Sequence, residues 1–483
     1  MYPGENFDNE WRSLVFPTDY QNPKPDPEGY NLVVIGAGPA GLIISIAAAG
    51  LGAKVALIER HAMGGDCLNV GCVPSKAIIA MSTRKALGGD IDFADSMAWV
   101  REVRAKISHH DSVARYNENG VDVFLGEAKF VSDKAVQVGD TTLTGSKIVV
   151  TTGARAALPP IPGLSEAEPL TNENVFDLKE QPERLGVIGA GPIGCELAQS
   201  FAKLGSEVHL FEMADRPVPL ETPAAGELLK KQLEKDGVVL HLSTAAKEIR
   251  KVGDKRVITT ENGKIEVDQV LVALGRKPNV EGLNLEAAGV EYDTRKGIAV
   301  SPRLQTSNSN IYAAGDVCSK YQFTNNADHQ ARIIVRNTLF FGRGEAQTNK
   351  ITRCTYTHPE IAHVGAEESE LTDFDTYEIE WSALDRSQTE GDTEGFVRVL
   401  TEKGKDKILS ATIVGSDAGD QIATLAVLLA NGRGLGDLDA AVLAYPTRSE
   451  YLRRLADAYN RTKLTPFVAK LFQRVLKWRR KPA

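Results

Sequence analysis

One five-part pattern occurs twice in this chain, in the same order and at the same spacing. The apolar strand candidate Asn31–Ile35 runs into Gly36-Ala-Gly38-Pro-Ala-Gly41 and an apolar helical stretch ending at Gly50. A second strand, Lys54–Ile58, then closes on Glu59. The pattern returns as Arg184–Ile188, Gly189-Ala-Gly191-Pro-Ile-Gly194, a helical run to Leu204, Glu207–Phe211 and Glu212. In each copy the acid stands 23 residues after the first glycine. A single glycine string could merely join a strand to a helix, but two copies with flanking strands and matched acids mark two parallel βαβ units that bind dinucleotides. Gly36 and Gly189 would make the tight turn, Gly38 and Gly191 would admit a pyrophosphate, and Gly41 and Gly194 would let helix and strand pack closely. The helix N-terminus adds unpaired N–H groups and partial positive charge. Glu59 and Glu212 can each accept from ribose hydroxyls. An acid there repels a 2′-phosphate, so Glu212 favours NADH over NADPH, while nearby Arg216 keeps NADPH open.

Soon after the first unit comes Cys67-Leu-Asn-Val-Gly-Cys72-Val-Pro-Ser-Lys76. Two thiols five positions apart can form a disulfide across a turn or a first helical turn. Pro74 suits a helix start, where its missing N–H is tolerated. Thiols at such an N-terminus gain thiolate character, and Lys76 adds positive charge. A structural zinc site would need two more ligands, and only His61 lies nearby, so no metal site is expected. A redox-active pair is the favoured reading over an inert one. Because the pair follows the first unit, a flavin held there would place its ring beside the thiols.

At 483 residues the chain exceeds one ordinary core, and two to four domains are expected. The net charge of -8 argues against general nucleic-acid binding. Five cysteines, an odd and sparse set, do not suggest a secreted disulfide scaffold. Residues 1–29, rich in Pro, Asp and Asn, contain no secretory signal pattern. They read as an extended arm, largely disordered, with Trp11, Val15 and Phe16 able to pin part of it to the body. No apolar stretch reaches spanning length, and a cytoplasmic chain is the expectation. Further helices are expected over Glu227–Asp236 and Asp328–Phe340, with a short strand at Ile311–Ala314. From about 350 the pattern changes to strands Gly395–Leu400 and Ile408–Val414 with helices Asp420–Ala430 and Ser449–Tyr459, which suggests a separate module.

The two glycine units, the Cys67–Lys76 segment, Ile311-Tyr-Ala-Ala-Gly-Asp316 and Tyr445-Pro-Thr-Arg-Ser-Glu450 together resemble the class I pyridine nucleotide–disulfide oxidoreductases. That family includes dihydrolipoamide dehydrogenase, glutathione reductase and mercuric reductase. The likeness covers about residues 30–460. It implies an α/β fold with two Rossmann-like nucleotide-binding domains, glutathione reductase-like, and a C-terminal α+β dimerisation domain. The implied division is an N-terminal arm (1–29), an FAD-binding domain in two parts (30–155 and 284–349), an NAD(P)-binding domain (156–283), a dimerisation domain (350–460) and a basic amphipathic tail (461–483). FAD would be held by the first unit with Gly65, Gly153, Gly315 and Asp316, the last on the ribityl chain. NADH or NADPH would be held by the second unit and Gly275. Carried over by position, Cys72 would be the thiolate in charge transfer with the flavin and Cys67 the outer thiol that attacks substrate. Lys76 and Glu196 would pair near flavin N5. Hydride would pass from NAD(P)H to FAD, and electrons then to the Cys67–Cys72 disulfide and an acceptor. A homodimer is implied, each active site being completed by the other subunit.

Two features set the chain apart from that pattern. Disulfide reductases of the family carry a histidine before the proline of the late motif, held by a glutamate, and it protonates the leaving thiolate. Here the position is Tyr445, with Glu450 retained, and a phenol of ordinary pKa near 10 is a poor base at neutral pH. His329 and His358 are candidate substitutes only if the fold brings them close. A tyrosine here resembles the mercuric-reductase side of the family, yet no cysteine follows Cys354 to hand over a metal. The acceptor is therefore expected to be a small thiol, disulfide or metal–thiolate, with a diaphorase whose cysteines are secondary as the alternative. The second feature is the tail. Residues 461–483 hold eight Lys/Arg and no Asp/Glu, with Val468, Leu471, Phe472, Val475 and Leu476 at helical spacing and Lys470, Arg474, Lys477 and Lys481 favouring another face. Peripheral contact with anionic lipid at the inner membrane face, packing on the chain's own dimer and docking of a partner stand as alternatives.

Overall fold

The computed structural model of the chain describes residues 2–480; Lys481 and the rest of the tail's end lie outside the described residues. The chain divides into two compact units. One comprises the chain up to Pro219 together with Leu233–Thr348, and the other Leu220–Gln232 together with the chain from Asn349 on.

The first unit opens on helix α1 (Glu5–Val15), followed by β1 (Tyr30–Ile35), α2 (Pro39–Gly50) and β2 (Val55–Glu59). The short α3 (Gly65–Asn69) ends between the two cysteines, and α4 (Cys72–Ala86) begins on the second of them. After α5 (Phe93–Ser108) come β3 (Val121–Leu125), β4 (Ala128–Ser132), β5 (Ala135–Val138) and β6 (Thr141–Val150). The sheet order is β3-β2-β1-β6-β5-β4, and the strand Ile311–Ala313 pairs with β6. Its β3-β2-β1-β6 part and Ile311–Ala313 are parallel. Strands buried on both faces read as near-continuous apolar runs, and Leu32 to Ile35 and Val55 to Ile58 are all buried.

The second glycine unit builds its own four-stranded parallel sheet, ordered Val238–His241, Glu207–Phe211, Arg184–Ile188, Gln269–Val272. A three-stranded antiparallel sheet, Glu248–Val252, Lys255–Thr260 and Gly263–Val267, packs through Ile249, Ile258 and Val267 into the same core as Ile188 and Phe211. In both units the acid-bearing strand lies beside the glycine-bearing strand, so both sites form at the carboxyl ends of parallel strands.

The N-terminal segment departs from the extended, disordered arm expected for it. Phe7, Trp11, Leu14 and Val15 fall at helical spacing, which the Pro, Asp and Asn content around them obscures. Val15 is fully buried, and Trp11 and Leu14 pack on the same core, while Phe16 stays exposed. Asp8 lies between two arginines of α5, at 3.2 Å from Arg101 Nε and 2.6 Å from Arg104 Nη2. Both arginines are only 2% exposed. Beyond the helix, Asn22 accepts from Leu125 N–H (2.8 Å) and donates to Leu125 C=O (3.0 Å), which covers the edge of β3.

The second unit is a five-stranded antiparallel sheet, ordered Thr352–Thr355, Glu360–Gly365, Ile408–Gly415, Phe396–Glu402, Phe374–Glu380. The helices Ala418–Ala430 and Glu450–Thr462 contribute Ile422, Leu425, Leu452 and Leu455 to its core. Arg353 bridges Glu221 and Glu367 within it. The tail forms the helix Pro466–Arg479, started by Thr465, whose hydroxyl accepts from Val468 N–H at 3.3 Å, and no residue of that helix is buried. Among the described residues no helix is long and apolar enough to cross a membrane.

Candidate active site

The two glycine turns are built alike. Gly36 and Gly189 take φ of +102° to +104°, a region that favours glycine. A Cβ on Gly41 would stand 1.9 Å from the Gly36 carbonyl oxygen, and one on Gly194 1.9 Å from that of Gly189. Helix and turn therefore touch backbone to backbone at both places. Gly38 and Gly191 begin the helices α2 and Pro192–Leu204 in extended conformation, each followed by proline at the first helical position. The N–H groups that follow are left for an anion.

The acids are fixed alike as well. Glu59 accepts from Ala37 N–H (2.7 Å) and His61 N–H (2.8 Å). Glu212 accepts from Ala190 N–H (2.8 Å) and Ala214 N–H (2.9 Å). A carboxylate has about four lone-pair directions, so each retains capacity toward a hydroxyl. Burial pushes the Glu59 carboxyl above the ordinary glutamate value, and the backbone donors oppose that. A cavity lined by Gly36, Glu59, Gly126, Thr152, Asn279 and Glu281 opens beside it. Around this site Gly65 (φ +57°) lies so close to Gly38 that a Cβ would stand 2.6 Å from its Cα. Gly153 and Gly275 both take left-handed conformations. Gly315 donates its N–H to Gln330 Oε1 at 2.7 Å.

Cys67, on α3, and Cys72, the first residue of α4, stand as free thiols. A hydrogen bond from Cys67 lowers the Cys72 thiol to about 6, aided by Thr324, 3.4 Å from its sulfur, and by the charge of Lys76; burial and Glu196 oppose this. Cys67 is raised by the same bond and by burial. The pair thus favours the thiolate at Cys72 and the neutral thiol at Cys67. Lys76, one turn along α4, pairs at 2.8 Å with Glu196, which is 6% exposed on the helix Pro192–Leu204. Burial instead pushes the Cys318 thiol up to about 12 and raises Cys195, so neither is a ready nucleophile.

Three residues absent from the sequence reading belong to this site. Thr324 starts the helix Thr324–Leu339. Arg276, 14% exposed, lies between Asp66, the neighbour of Cys67, and Asp316, 3.5 Å from its Nε. Burial pushes the Asp316 carboxyl up to about 6 against the pull of Arg276. The glycine, lysine and proline around Arg276 mark a turn, but nothing local signals partners 210 and 40 residues away.

Tyr445 and Glu450 lie in the second unit, and the structure gives them separate partners. The Tyr445 hydroxyl donates to Asp385 Oδ2 at 2.6 Å, which raises its pKa above 10. Glu450 pairs with Arg454 at 2.6 Å. His329 is exposed on the helix Thr324–Leu339, and His358 is exposed in the second unit.

Two dinucleotide turns of one design, with a thiol–thiolate pair beside the first, define a dithiol flavoprotein of the two-nucleotide class. The chain belongs to the pyridine nucleotide–disulphide oxidoreductase family: the family model matches residues 30–331, and the dimerisation-domain model of the same family matches residues 351–456. It is 35% identical over 454 residues to a mercuric reductase of Staphylococcus aureus, covering 89% of this chain and 83% of that protein. It is 32% identical over 448 residues to a dihydrolipoyl dehydrogenase of Chlamydia muridarum, covering 88% and 95%. Among solved structures it is similar to the HOCl-induced flavoprotein disulfide reductase RclA of Escherichia coli, with a TM-score of 0.80 at 28% identity, covering 89% and 99%. As a member, the chain is an NAD(P)H-dependent, FAD-containing oxidoreductase with a dimerisation domain that makes it a homodimer.

Proposed function

We propose that the chain moves reducing equivalents from NAD(P)H by way of FAD to a Cys67–Cys72 disulfide, and from the dithiol to a small disulfide or thiol-bound metal. The reading rests on the depressed Cys72 thiol, bonded by Cys67 beside the Lys76–Glu196 pair. FAD, when bound, supplies the two-electron relay between nicotinamide and sulfur. Its assigned holders are Gly36, Gly38, Gly41, Glu59, Gly65, Lys76, Gly153, Gly315 and Asp316, and the backbone approach at Gly41 leaves room for nothing larger than hydrogen there. NAD(P)H is assigned to Gly189, Gly191, Gly194, Glu212 and Gly275. NADH is the better fit, because Arg216 is already paired to Asp215 at 3.0 Å.

With a disulfide acceptor, the Cys67 proton passes to the Cys72 sulfur, the Cys67 thiolate bonds to one acceptor sulfur as the acceptor S–S bond breaks, and the first thiol leaves with that proton, which restores the Cys72 thiolate. The Cys72 thiolate then attacks Cys67, re-forms the internal disulfide and releases the second thiolate, so two electrons pass to the acceptor. A metal–thiolate acceptor is the second reading. Its support is Tyr445, whose phenolic proton is engaged by Asp385 and is poorly placed to protonate a leaving thiolate. Relatives of the chain include mercuric reductases, and RclA is solved as a Cu(II) complex.

Anaerobic NADH titration of the purified holoenzyme, followed by an acceptor screen, tests the proposal. A long-wavelength thiolate–flavin band and turnover with disulfides or thiol-complexed Hg(II) are expected. Absence of the band, with turnover confined to artificial dyes, would leave a diaphorase instead.

The tail supports a peripheral contact with anionic lipid at the inner face of the cytoplasmic membrane. Leu471, Phe472 (52% exposed), Val475 and Leu476 (59%) are solvent-facing on a helix whose other face carries Lys470, Arg474 and Lys477. Flotation with phosphatidylserine-containing vesicles should bring up the full chain and leave a 1–460 truncation behind. Equal flotation of the two sinks the lipid contact.

A further inference from the structure

The family match begins at residue 30, yet the loop between the two cysteines is tied to residues that precede it. Asn69, 7% exposed, ends α3 midway between the thiols. Its side-chain oxygen accepts from the Trp11 indole N–H at 2.7 Å. Its amide donates to Gly65 C=O (2.8 Å) and Met63 C=O (3.1 Å), and its own carbonyl accepts from Arg104 Nη1 (3.3 Å). Arg104 in turn stacks on the Trp11 ring, 4.3 Å from its centroid, and is held by Asp8 at 2.6 Å. Val15 C=O accepts from Met63 N–H at 3.0 Å, just ahead of α3. Helix α1 therefore reaches the redox loop by a side-chain bond, a stacked arginine and a backbone bond.

We propose that helix α1 is a positioning element of the dithiol, in which Trp11 directly, and Asp8 through Arg104, hold Asn69 and thereby the relative placement of Cys67 and Cys72. The inference rests on the dithiol reading given above. The position of Cys67 relative to Cys72 matters because the bond between them is the largest influence lowering the Cys72 thiol. The other groups facing the pair are Thr324, Lys76 and Glu196 around Cys72 and Asp111 near Cys67, and none of them belongs to α1. Loosening α1 weakens that hydrogen bond between the two sulfurs without touching a reacting atom.

The test compares wild-type holoenzyme with Trp11→Phe, which keeps a smaller aromatic ring against Arg104 and removes the indole N–H. Glu10→Gln serves as a control, since Glu10 is on the same helix but pairs with His109. The reduced enzymes are alkylated with iodoacetamide across pH, and labelling of Cys72 is read by mass spectrometry. Trp11→Phe should raise the labelling midpoint by roughly half a unit to one unit, the scale of one buried hydrogen bond, with the control unmoved. A folded Trp11→Phe with the wild-type midpoint overturns the proposal. Hydrogen exchange of the wild type supplies a second readout that needs no variant: the amides of Cys67–Cys72 should open together with those of α1. Opening of α1 with the loop still fully protected overturns the proposal too. A wild-type midpoint near the ordinary thiol value of about 8.5 would instead overturn the dithiol reading, and this inference with it.

Discussion

Cys67→Ser abolishes turnover with disulfide acceptors, by on the order of a thousandfold or more as expected for one member of a unit that acts together. It leaves NADH-dependent reduction of a one-electron dye such as ferricyanide near the wild-type rate. The reason is the division of labour between the two sulfurs. Cys67 supplies the sulfur that bonds to the acceptor, and a serine hydroxyl cannot form that bond. Cys72 keeps Thr324 at 3.4 Å and Lys76 one turn away. A serine hydroxyl can still donate toward it, and no internal disulfide can form, so Cys72 persists as thiolate in the oxidised variant. The thiolate–flavin absorption should therefore be present without any reductant and fade on acidification as Cys72 takes up a proton. Cys72→Ser should lose that absorption at every pH. Stopped assays with the two acceptor types, with spectra of both variants, decide the matter. Disulfide turnover surviving in Cys67→Ser would remove the dithiol from the route.

Asp8→Ala should destabilise the first unit by about 3–5 kcal/mol, the usual result of removing one partner from a buried ion pair. Asp8 is the carboxylate shared by Arg101 and Arg104. Arg101 retains only neutral backbone acceptors at Pro3 and Leu178, while Arg104 keeps a longer contact to Asp177 at 3.5 Å. Two guanidinium groups almost sealed from water would be left short of negative charge. Urea unfolding of the holoenzyme followed by flavin release measures the change. A loss under about 1 kcal/mol, the scale of an exposed pair, would show that water reaches both arginines.

Much of the fold is legible in the sequence because its signals are local. The strands Arg184–Ile188 and Glu207–Phe211 have the same bounds in sequence and structure, since an unbroken apolar run between a charged residue and a glycine or acid admits little else. Cys67, Cys72 and Lys76 share one short segment, whereas the pairing of Lys76 with Glu196, 2.8 Å apart in the structure, was implied only by the family resemblance. Thr324 and Arg276 have no local signal because only topology brings Thr324 to Cys72 and Arg276 to Asp66, across 252 and 210 residues. Helix α1 is hidden for a related reason. Its eleven residues are too few to be stable alone, and what orders them is a pair of arginines almost a hundred residues later. The Tyr445 phenol is visible in the sequence, but its partner Asp385 lies 60 residues earlier, and no spacing rule links the two.

The unequal thiols also set how the couple answers to acidity. Between the titration of Cys72 near 6 and the far higher one of Cys67, closing the disulfide releases two electrons and a single proton. The midpoint potential of the couple then falls by about 30 mV for each pH unit, half the slope of an ordinary dithiol. Over a physiological range, the driving force from the dithiol toward an acceptor that takes up two protons becomes greater in acid and weaker in alkali.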